Sequence, residues 1–303
     1  ALPIFISIFI RYFAAPKNKR NMEVVKTVAG LQAYIETCKQ EKKSIGLVPT
    51  MGALHRGHAS LVARSVSEND ATVVSVFVNP TQFNDKNDLA SYPRTLEADC
   101  QLLSQLGATI VFAPTAEEVY PEPDTRQFSY PPTDTVMEGA FRPGHFNGVC
   151  QIVSKLFMFA QPTRAYFGEK DFQQIAVIKA MVRDQRFPLE IVPCPIVREQ
   201  DGLALSSRNT LLTANERKIA PAIYKALCDS VPYSKTHTVE ETKQMAIDQI
   251  NAVDGLEVQY YEIVNADTLQ GVTNWDEAEH VQGCITVFCG HTPIRLIDNI
   301  NYK

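Results

Sequence analysis

The chain has 303 residues, of which 45% are hydrophobic and 21% are charged, and its formal net charge is −5. These values are ordinary for a globular protein of one large or two smaller domains. The acidic balance argues against a protein that mainly binds the nucleic-acid backbone. Seven cysteines lie scattered in core-like segments without a CxxC pair, which favours a cytoplasmic protein whose thiols are mostly buried.

An apolar stretch, residues 1–10, precedes the basic segment Lys17-Asn18-Lys19-Arg20. A membrane-spanning helix needs roughly 20 apolar residues, and this stretch lacks the basic start of a signal peptide. We therefore expect the working protein to start at Met22, with residues 1–21 as an extension outside the fold and no membrane partner. A targeting or membrane-associating tail is the alternative.

Strand-like and helical patterns alternate from Lys42 to about Ile196. Strands are predicted at 44–49, 71–78, 108–113, 165–168 and 189–192, and helices at 58–69, 95–106, 149–159 and 172–184. Such alternation predicts an α/β fold with a parallel sheet covered by helices.

The pattern changes after about Val197. Two long helical stretches, 213–230 and 238–252, precede strand-like runs at 256–264, 284–288 and 292–300. We expect residues 22–196 to form the first domain and residues 197–303 a smaller α+β domain.

The first candidate site is the turn Pro49-Thr50-Met51-Gly52-Ala53-Leu54-His55-Arg56-Gly57-His58, between a predicted strand and a predicted helix. Glycines let the backbone approach a ligand closely, and a helix N-terminus favours anions. His55 and His58 lie three residues apart, so both can donate hydrogen bonds to one phosphate. The turn predicts a nucleotide phosphate site, and a glycine-rich turn with two surface histidines is the alternative.

Three more polar loops follow predicted strands or the proposed domain boundary. Gln82 lies in the first, and its amide can hold hydroxyl or carboxylate groups. In the second, Gly168 to Gln174, Lys170 can neutralise phosphate, and Asp171 can bind a ribose hydroxyl or a metal. Only one of the adjacent Gln173 and Gln174 can face a site, and we expect Gln174 to do so.

The third loop contains Ser206-Ser207-Arg208, which can clamp phosphate because arginine binds it bidentately. Taken singly, these loops also fit an ordinary loop, a solvated helix start and a helix cap. The sequence contains no Walker A motif, nucleophile elbow or dinucleotide GxGxxG fingerprint.

Together these motifs resemble the pantothenate synthetase (pantoate–β-alanine ligase) family of the HIGH-motif nucleotidyltransferases. Residues 55–58 stand where that superfamily carries HIGH, and residues 206–208 stand where class I aminoacyl-tRNA synthetases carry KMSKS. The resemblance also covers Phe77-Val78-Asn79-Pro80-Thr81-Gln82-Phe83, Tyr92-Pro93-Arg94 and Phe167-Gly168-Glu169-Lys170-Asp171. It implies a Rossmann-like, doubly wound parallel sheet with a smaller C-terminal α+β lid domain.

The resemblance implies that the pantoate carboxylate attacks the α-phosphorus of ATP, and that β-alanine then converts pantoyl adenylate to pantothenate, with AMP released. It assigns catalysis to His58, His55, Lys170 and Arg208, and pantoate binding to Gln82 and Gln174, with Gln82 also near β-alanine. It implies Mg²⁺ bridging the phosphate oxygens, and a homodimer. ATP contacts are implied for Met51, Gly52, Ala53, Leu54, His55, Arg56, Gly57, His58, Gly168, Glu169, Lys170, Asp171, Val197, Leu205, Ser206, Ser207 and Arg208.

Three other functions fit the sequence less well. Adenylyltransferases that make a stable nucleotide share the HxGH loop, but not the Asn-Pro-Thr-Gln-Phe segment or the Gln-Gln pair. A short, acidic chain disfavours an aminoacyl-tRNA synthetase. A non-catalytic nucleotide-binding module would not need both histidines together with Lys170 and Arg208. Leu205 replaces the methionine of many family members, an apolar change of similar size.

Overall fold

The structure is a computed structural model that describes residues 22–83 and 86–303, without the side chains of residues 86–88. The expected extension, residues 1–21, lies outside the described residues. The chain forms two compact units. The first contains the described residues up to Arg126, Gln151–Phe167 and Phe187–Cys194, and the second contains Gln127–Cys150, Gly168–Arg186 and Pro195–Lys303. The division into residues 22–196 and 197–303 stays a prediction.

A six-stranded sheet forms the centre of the first unit. Its strands are β1 (Glu23–Val25), β2 (Ile45–Thr50), β3 (Ala71–Val76), β4 (Ile110–Phe112), β5 (Arg164–Gly168) and β6 (Glu190–Cys194). They lie in the order β1-β4-β3-β2-β5-β6, and the neighbours from β1 to β5 pair in parallel. Leu47, Val48, Val73 and Val74 are fully buried, as expected for strands covered on both faces. The expected doubly wound α/β fold is confirmed.

The strand order places a topological switch point beside β2. From β2 the chain proceeds to β3 and β4 on one side, whereas β5 and β6 lie on the other. In open parallel sheets, ligands bind at the carboxyl ends of the strands where the order reverses. The fold therefore favours the loop after β2 as a ligand site.

Eight α-helices lie between β1 and β6 along the described part of the chain, and they belong partly to the first unit and partly to the second. α1 buries Leu31, Ile35 and Cys38 as one stripe and is capped by Thr27, a pattern typical of an amphipathic helix. The sequence analysis predicted no helix or strand before residue 44, so β1 and α1 were not predicted. The helices are α1 (Val28–Gln40), α2 (Arg56–Glu68), α3 (Lys86–Ser91), α4 (Leu96–Leu106), α5 (Ala116–Val119), α6 (Glu138–Phe141), α7 (His145–Ala160) and α8 (Phe172–Asp184).

The second unit contains an antiparallel three-stranded sheet with helices, which confirms the expected smaller α+β part. Its sheet consists of β7 (Leu256–Asn265), β8 (Val281–Cys289) and β9 (Ile294–Asn301), and its later helices are α9 (Ala214–Ile219), α10 (Ala222–Tyr233) and α11 (Val239–Asn251). The prediction of one helix over 213–230 was wrong, because α9 ends before Pro221 and α10 starts after it. Proline lacks the N–H that a continuous helix would need there.

All seven cysteines are free, and five of them are buried, as expected; Cys100 and Cys228 are partly exposed. Within residues 22–83 and 86–303, no helix is long and apolar enough to cross a membrane.

Candidate functional site

The loop between β2 and α2 has a sharply turned backbone. Gly52 and Ala53 both adopt left-handed conformations, with φ of 81° and 50°. A Cβ atom at Gly52 would lie 3.0 Å from Val76 and 3.1 Å from the Asp99 carboxylate, so glycine suits this position sterically as well as conformationally. A non-glycine residue such as Ala53 reaches this conformation only with support from its surroundings.

Asp99 supplies that support from α4. Its Oδ2 atom accepts the backbone N–H of Ala53 at 3.0 Å, and its Oδ1 atom accepts that of Leu54 at 2.8 Å. The Thr95 hydroxyl lies 3.2 Å from each carboxylate oxygen, and Asp99 is only 3% exposed. The carboxylate therefore fixes the turn and occupies two of its amides. Asp99 has no metal-ligand spacing in the sequence, and nothing local connects it to a loop 45 residues away, so this role was not predicted.

His55 and His58 form a capping pair at the start of α2, which begins at Arg56 rather than at the predicted residue 58. The Nδ1 atom of His55 accepts the Gly57 N–H at 3.1 Å, and the Nδ1 atom of His58 accepts the His55 N–H at 3.3 Å. The ring centroids are 4.1 Å apart. Because each Nδ1 is an acceptor, each neutral ring carries its proton on Nε2. The two rings thus lie together beside a helix N-terminus, and in this tautomer each can offer an Nε2–H donor, which suits an anion.

Gln82 contacts this loop from the segment after β3. Its Nε2 atom donates to the Met51 sulfur at 3.2 Å, and its Oε1 atom accepts from Asn79 Nδ2 at 3.1 Å. Asn79 is 1% exposed and accepts the Tyr120 hydroxyl at 2.8 Å. Burial raises the pKa of Tyr120, so its hydroxyl remains a donor at neutral pH. The first unit thus brings Gln82, from the second motif, against Met51, from the first.

In the second unit, a single 3₁₀ turn, Glu169–Asp171, connects β5 to α8. The Lys170 ammonium lies 3.3 Å from Asp171 Oδ1, and its side chain is 18% exposed. Lys170 and Asp171 therefore lie together, as an ion pair on a short turn.

Gln173 and Gln174 differ in their surroundings. The Gln173 amide donates to the carbonyls of Thr133 and Val136 at 2.8 and 2.7 Å, and its oxygen accepts the Glu138 N–H at 3.0 Å. Gln173 is 5% exposed, whereas Gln174 is half-buried. Gln173 is thus committed to holding the chain at residues 133–138, and the expectation that Gln174 faces a ligand stays a prediction.

Val197 and Leu205 lie opposite each other in a small hairpin. The Leu205 N–H donates to the Val197 carbonyl at 3.0 Å, and the Glu199 N–H donates to the Leu203 carbonyl at 2.8 Å. Ser206 follows the hairpin and caps the 3₁₀ turn Ser207–Leu211 by accepting the Arg208 N–H at 3.3 Å. The helix-cap interpretation of Ser206 therefore applies, and the residues predicted to clamp phosphate lie on one short turn.

Glu138 is a buried acid that no sequence motif marked. It accepts from both Arg295 guanidinium nitrogens at 2.5 and 2.6 Å, from the Tyr260 hydroxyl at 2.8 Å and from Thr286 at 2.9 Å. Burial opposes ionisation, but the hydrogen bonds and charge of Arg295 outweigh it and lower the pKa of Glu138 to about 2. Glu138 therefore joins α6 to the antiparallel sheet within the second unit.

No group of three or more His, Cys, Asp or Glu side chains in the described part of the chain is arranged to hold a metal ion. Mg²⁺ commonly binds one or two carboxylates together with substrate phosphates, so the Mg²⁺ that the resemblance implies stays a prediction.

Comparisons with known proteins agree on one family. The family model described as Pantoate-beta-alanine ligase matches residues 23–301. The pantothenate synthetase of Bacteroides fragilis (strain YCH46) is 66% identical over 282 residues, which cover 93% of this chain and 99% of that protein. The pantothenate synthetase of Porphyromonas gingivalis (strain ATCC 33277) is 56% identical over 282 residues, which cover 93% of this chain and 100% of that protein.

Solved structures give the same result. The pantothenate synthetase of Thermus thermophilus matches with a TM-score of 0.87 and 44% identity, over 93% of this chain and 99% of that one. The pantoate-beta-alanine ligase of Francisella tularensis, complexed with beta-gamma ATP and beta-alanine, matches with a TM-score of 0.78 and 34% identity, over 93% of this chain and 98% of that one. The similarity thus extends over nearly the whole described chain.

Proposed function

The chain belongs to the pantoate-beta-alanine ligase family, and we propose that its Met51–His58 loop holds ATP while the pantoate carboxylate attacks the α-phosphorus. The enzyme is an ATP-dependent ligase that condenses pantoate with β-alanine to give pantothenate. The observation that carries the proposal is that the Nδ1 atoms of His55 and His58 both accept backbone N–H groups at the start of α2, on the loop at the switch point of the sheet.

The first step requires charge stabilisation rather than a base. A carboxylate is already a nucleophile, so the barrier lies in bringing one anion to another. Donors that are fixed before the reaction stabilise the charge that develops on the phosphate. The hydrogen bonds that hold both imidazoles in the Nε2–H form support this role for His58 and His55.

Asp99 limits which groups of the loop can bind phosphate. Because the amides of Ala53 and Leu54 donate to Asp99, they are not available as a phosphate-binding nest. We therefore assign the phosphate contacts of this loop chiefly to the two histidines and to the start of α2. Met51, Gly52 and Gly57 keep their proposed ATP contacts through close approach of the backbone.

The remaining ATP contacts are proposed for Gly168 to Asp171, Val197 and Leu205 to Arg208. The charges of Lys170 and Arg208 suit phosphate oxygens. Mg²⁺, when bound, would neutralise part of the phosphate charge, and Asp171 is the carboxylate of this set that suits it.

Gln82 and Gln174 are proposed to hold pantoate, with Gln82 also near the amine of β-alanine. Two observations support this assignment: Gln82 contacts the ATP loop at Met51, and Gln173 is committed elsewhere. A homodimer and a cytoplasmic location are further proposals, the first from the family resemblance and the second from the free cysteines.

The nucleotide product tests the chemistry of the first step. We expect purified enzyme with ATP, Mg²⁺, pantoate and β-alanine to release AMP and pyrophosphate in equal amounts with pantothenate. Omission of pantoate or of β-alanine should stop turnover. Formation of ADP and phosphate would mean attack at the γ-phosphorus, and would contradict the pantoyl-adenylate route.

A further inference from the structure

Asn299, near the end of β9, contacts the segment proposed to bind ATP phosphates. Its side-chain amide donates to the backbone carbonyls of Glu169 at 2.8 Å and Lys170 at 3.1 Å. Its oxygen accepts from the Gln282 amide on β8 at 2.7 Å. Both amides are nearly fully buried. Both ends of the Asn299 amide are thus committed, one to this segment and the other to fixing its own orientation.

The Glu169–Asp171 turn contacts β9 and α8, but it has no side-chain cap of its own in the described part of the chain. Within the described residues, neither Gly168, which precedes the 3₁₀ turn, nor Asp171, which precedes α8, forms a side-chain cap. Hydrogen-bond geometry within a 3₁₀ turn is poorer than within an α-helix, so side-chain hydrogen bonds to the carbonyls of the turn help to fix its backbone angles. Because a lysine side chain is long, a small backbone rotation at Lys170 displaces its ammonium group by a larger distance.

Asp298, which precedes Asn299 on β9, holds the hairpin that pairs Val197 with Leu205 in the same unit. Asp298 accepts from both guanidinium nitrogens of Arg198, at 2.6 and 2.9 Å. Arg198 also donates to the carbonyls of Gly202 at 3.1 Å and Asn299 at 3.3 Å. Arg198 lies in the hairpin that pairs Val197 with Leu205. Adjacent residues of one strand therefore support two segments that are distant in sequence.

We propose that Asn299 is a positioning residue that fixes the backbone of Glu169 and Lys170, so that the Lys170 ammonium group meets the phosphates of ATP. This inference depends on the proposed function, because it assumes that Lys170 binds ATP. Asn299 itself contacts no substrate, and its effect on the reaction passes through Lys170.

The test is a double-mutant cycle between Asn299→Ala and Lys170→Ala, followed by pantoate-dependent ATP–pyrophosphate exchange. In the wild-type background, we expect Asn299→Ala to lower kcat/KM for ATP in the exchange by about tenfold or more. In the overall reaction that forms pantothenate, it should change KM for β-alanine less than about twofold. In the Lys170→Ala background, the same substitution should change kcat/KM less than about twofold, since residues that act as a unit are not additive. Asn301→Ala, on the exposed end of the same strand, is the matched control and should match the wild type.

Two further variants keep the test decisive if Asn299→Ala folds poorly. Asn299→Asp keeps the size but directs carboxylate oxygens at two carbonyl oxygens, so its loss should equal or exceed that of alanine. Gln282→Ala removes only the hydrogen bond that orients the Asn299 amide. Its loss of kcat/KM should therefore be smaller than that of Asn299→Ala, and it should also disappear in the Lys170→Ala background.

Three outcomes distinguish a failure of this inference from a failure of the proposed function. If Asn299→Ala lowers kcat/KM by the same factor with and without Lys170, Asn299 has a merely structural role and the inference is overturned. Normal activity of Asn299→Ala in an assay where Lys170→Ala is impaired would also overturn it. Absence of pantoate-dependent exchange in the wild type would instead refute the proposed function.

Discussion

The Nδ1 atom of His58 accepts the backbone N–H of His55 at 3.3 Å. This contact places one nitrogen of the imidazole in the helix cap and makes Nε2–H the donor group of the ring. The two nitrogens of His58 therefore have separate tasks, and substitutions can separate them.

Replacement of His58 by alanine should slow adenylate formation by roughly 100-fold, because a donor to the developing phosphate charge is removed. The fold should survive, with a loss of about 1 kcal/mol from the helix cap. Pre-steady-state formation of pantoyl adenylate and urea unfolding measure the two effects. Near wild-type turnover of His58→Ala would show that His58 is not a catalytic group.

Asparagine and glutamine at position 58 form a matched pair. The Asn amide reaches the Nδ1 position, so His58→Asn should preserve stability better than activity. The Gln amide reaches the Nε2 position, so His58→Gln should preserve activity better than stability. The reverse order of activities would assign the catalytic contact to Nδ1.

Removal of the Asp99 charge should disturb the Met51–His58 loop, which we propose to bind ATP. Asp99→Asn replaces one acceptor by an NH₂ group that faces a backbone donor, so we expect a loss of about 1–3 kcal/mol in stability. KM for ATP should rise as the turn loosens, while KM for β-alanine should change little. Chemical unfolding and steady-state kinetics measure these effects, with the exposed Asp254→Asn as the control. If KM for ATP is unchanged, the loop keeps its shape without Asp99.

The adjacent glutamines should differ in what they support. Gln174→Ala should raise KM for pantoate by about tenfold with unfolding free energy unchanged, since one ligand hydrogen bond is removed. Gln173→Ala should instead lower the unfolding free energy by about 2 kcal/mol, because buried backbone groups lose their partners. Equal effects of the two substitutions on KM for pantoate would refute the assignment of Gln174.

Glu138 should make the free energy of unfolding depend on pH. Its pKa is lowered from 4.5 to about 2 in the folded protein. The stabilisation is therefore fully present above the unfolded pKa and is lost as the pH falls toward 2. We expect Glu138→Gln to cost about 3 kcal/mol at pH 7, as for a broken buried ion pair. The difference from the wild type should shrink as the pH falls from 4.5 to about 2.

The free energy of urea unfolding at a series of pH values checks this prediction. Glu257→Gln, an exposed residue on β7, is the control and should follow the wild type. A difference between Glu138→Gln and wild type that stays constant from neutral pH down to about pH 2 would contradict the assignment.

Local signals account for what the sequence could predict. The β-branched run of β3 and the turn with Gly52 and Gly57 depend on neighbouring residues, so the parallel sheet and the turn after β2 were recognisable. ATP binding by that turn stays a proposal. Pro221 could have indicated the break between α9 and α10, but the helical pattern on both sides of it led to the prediction of one helix.

The supporting residues had no such signal. Asp99 lies 46 residues from Ala53, and Arg295 lies 157 residues from Glu138. These partners meet only after the chain has folded, and one sequence carries no record of which distant residues meet. The sequence could thus suggest residues for substrate contact, which stay proposals, but it could not suggest the residues that hold them in place.

ATP–pyrophosphate exchange, measured with and without pantoate in the absence of β-alanine, tests attack on the α-phosphorus most directly. We predict that labelled pyrophosphate enters ATP only when pantoate is present, and that His58→Ala slows this exchange by roughly 100-fold. Exchange that ignores pantoate, or no exchange under conditions where pantothenate forms, would contradict a pantoyl-adenylate intermediate held by the Met51–His58 loop.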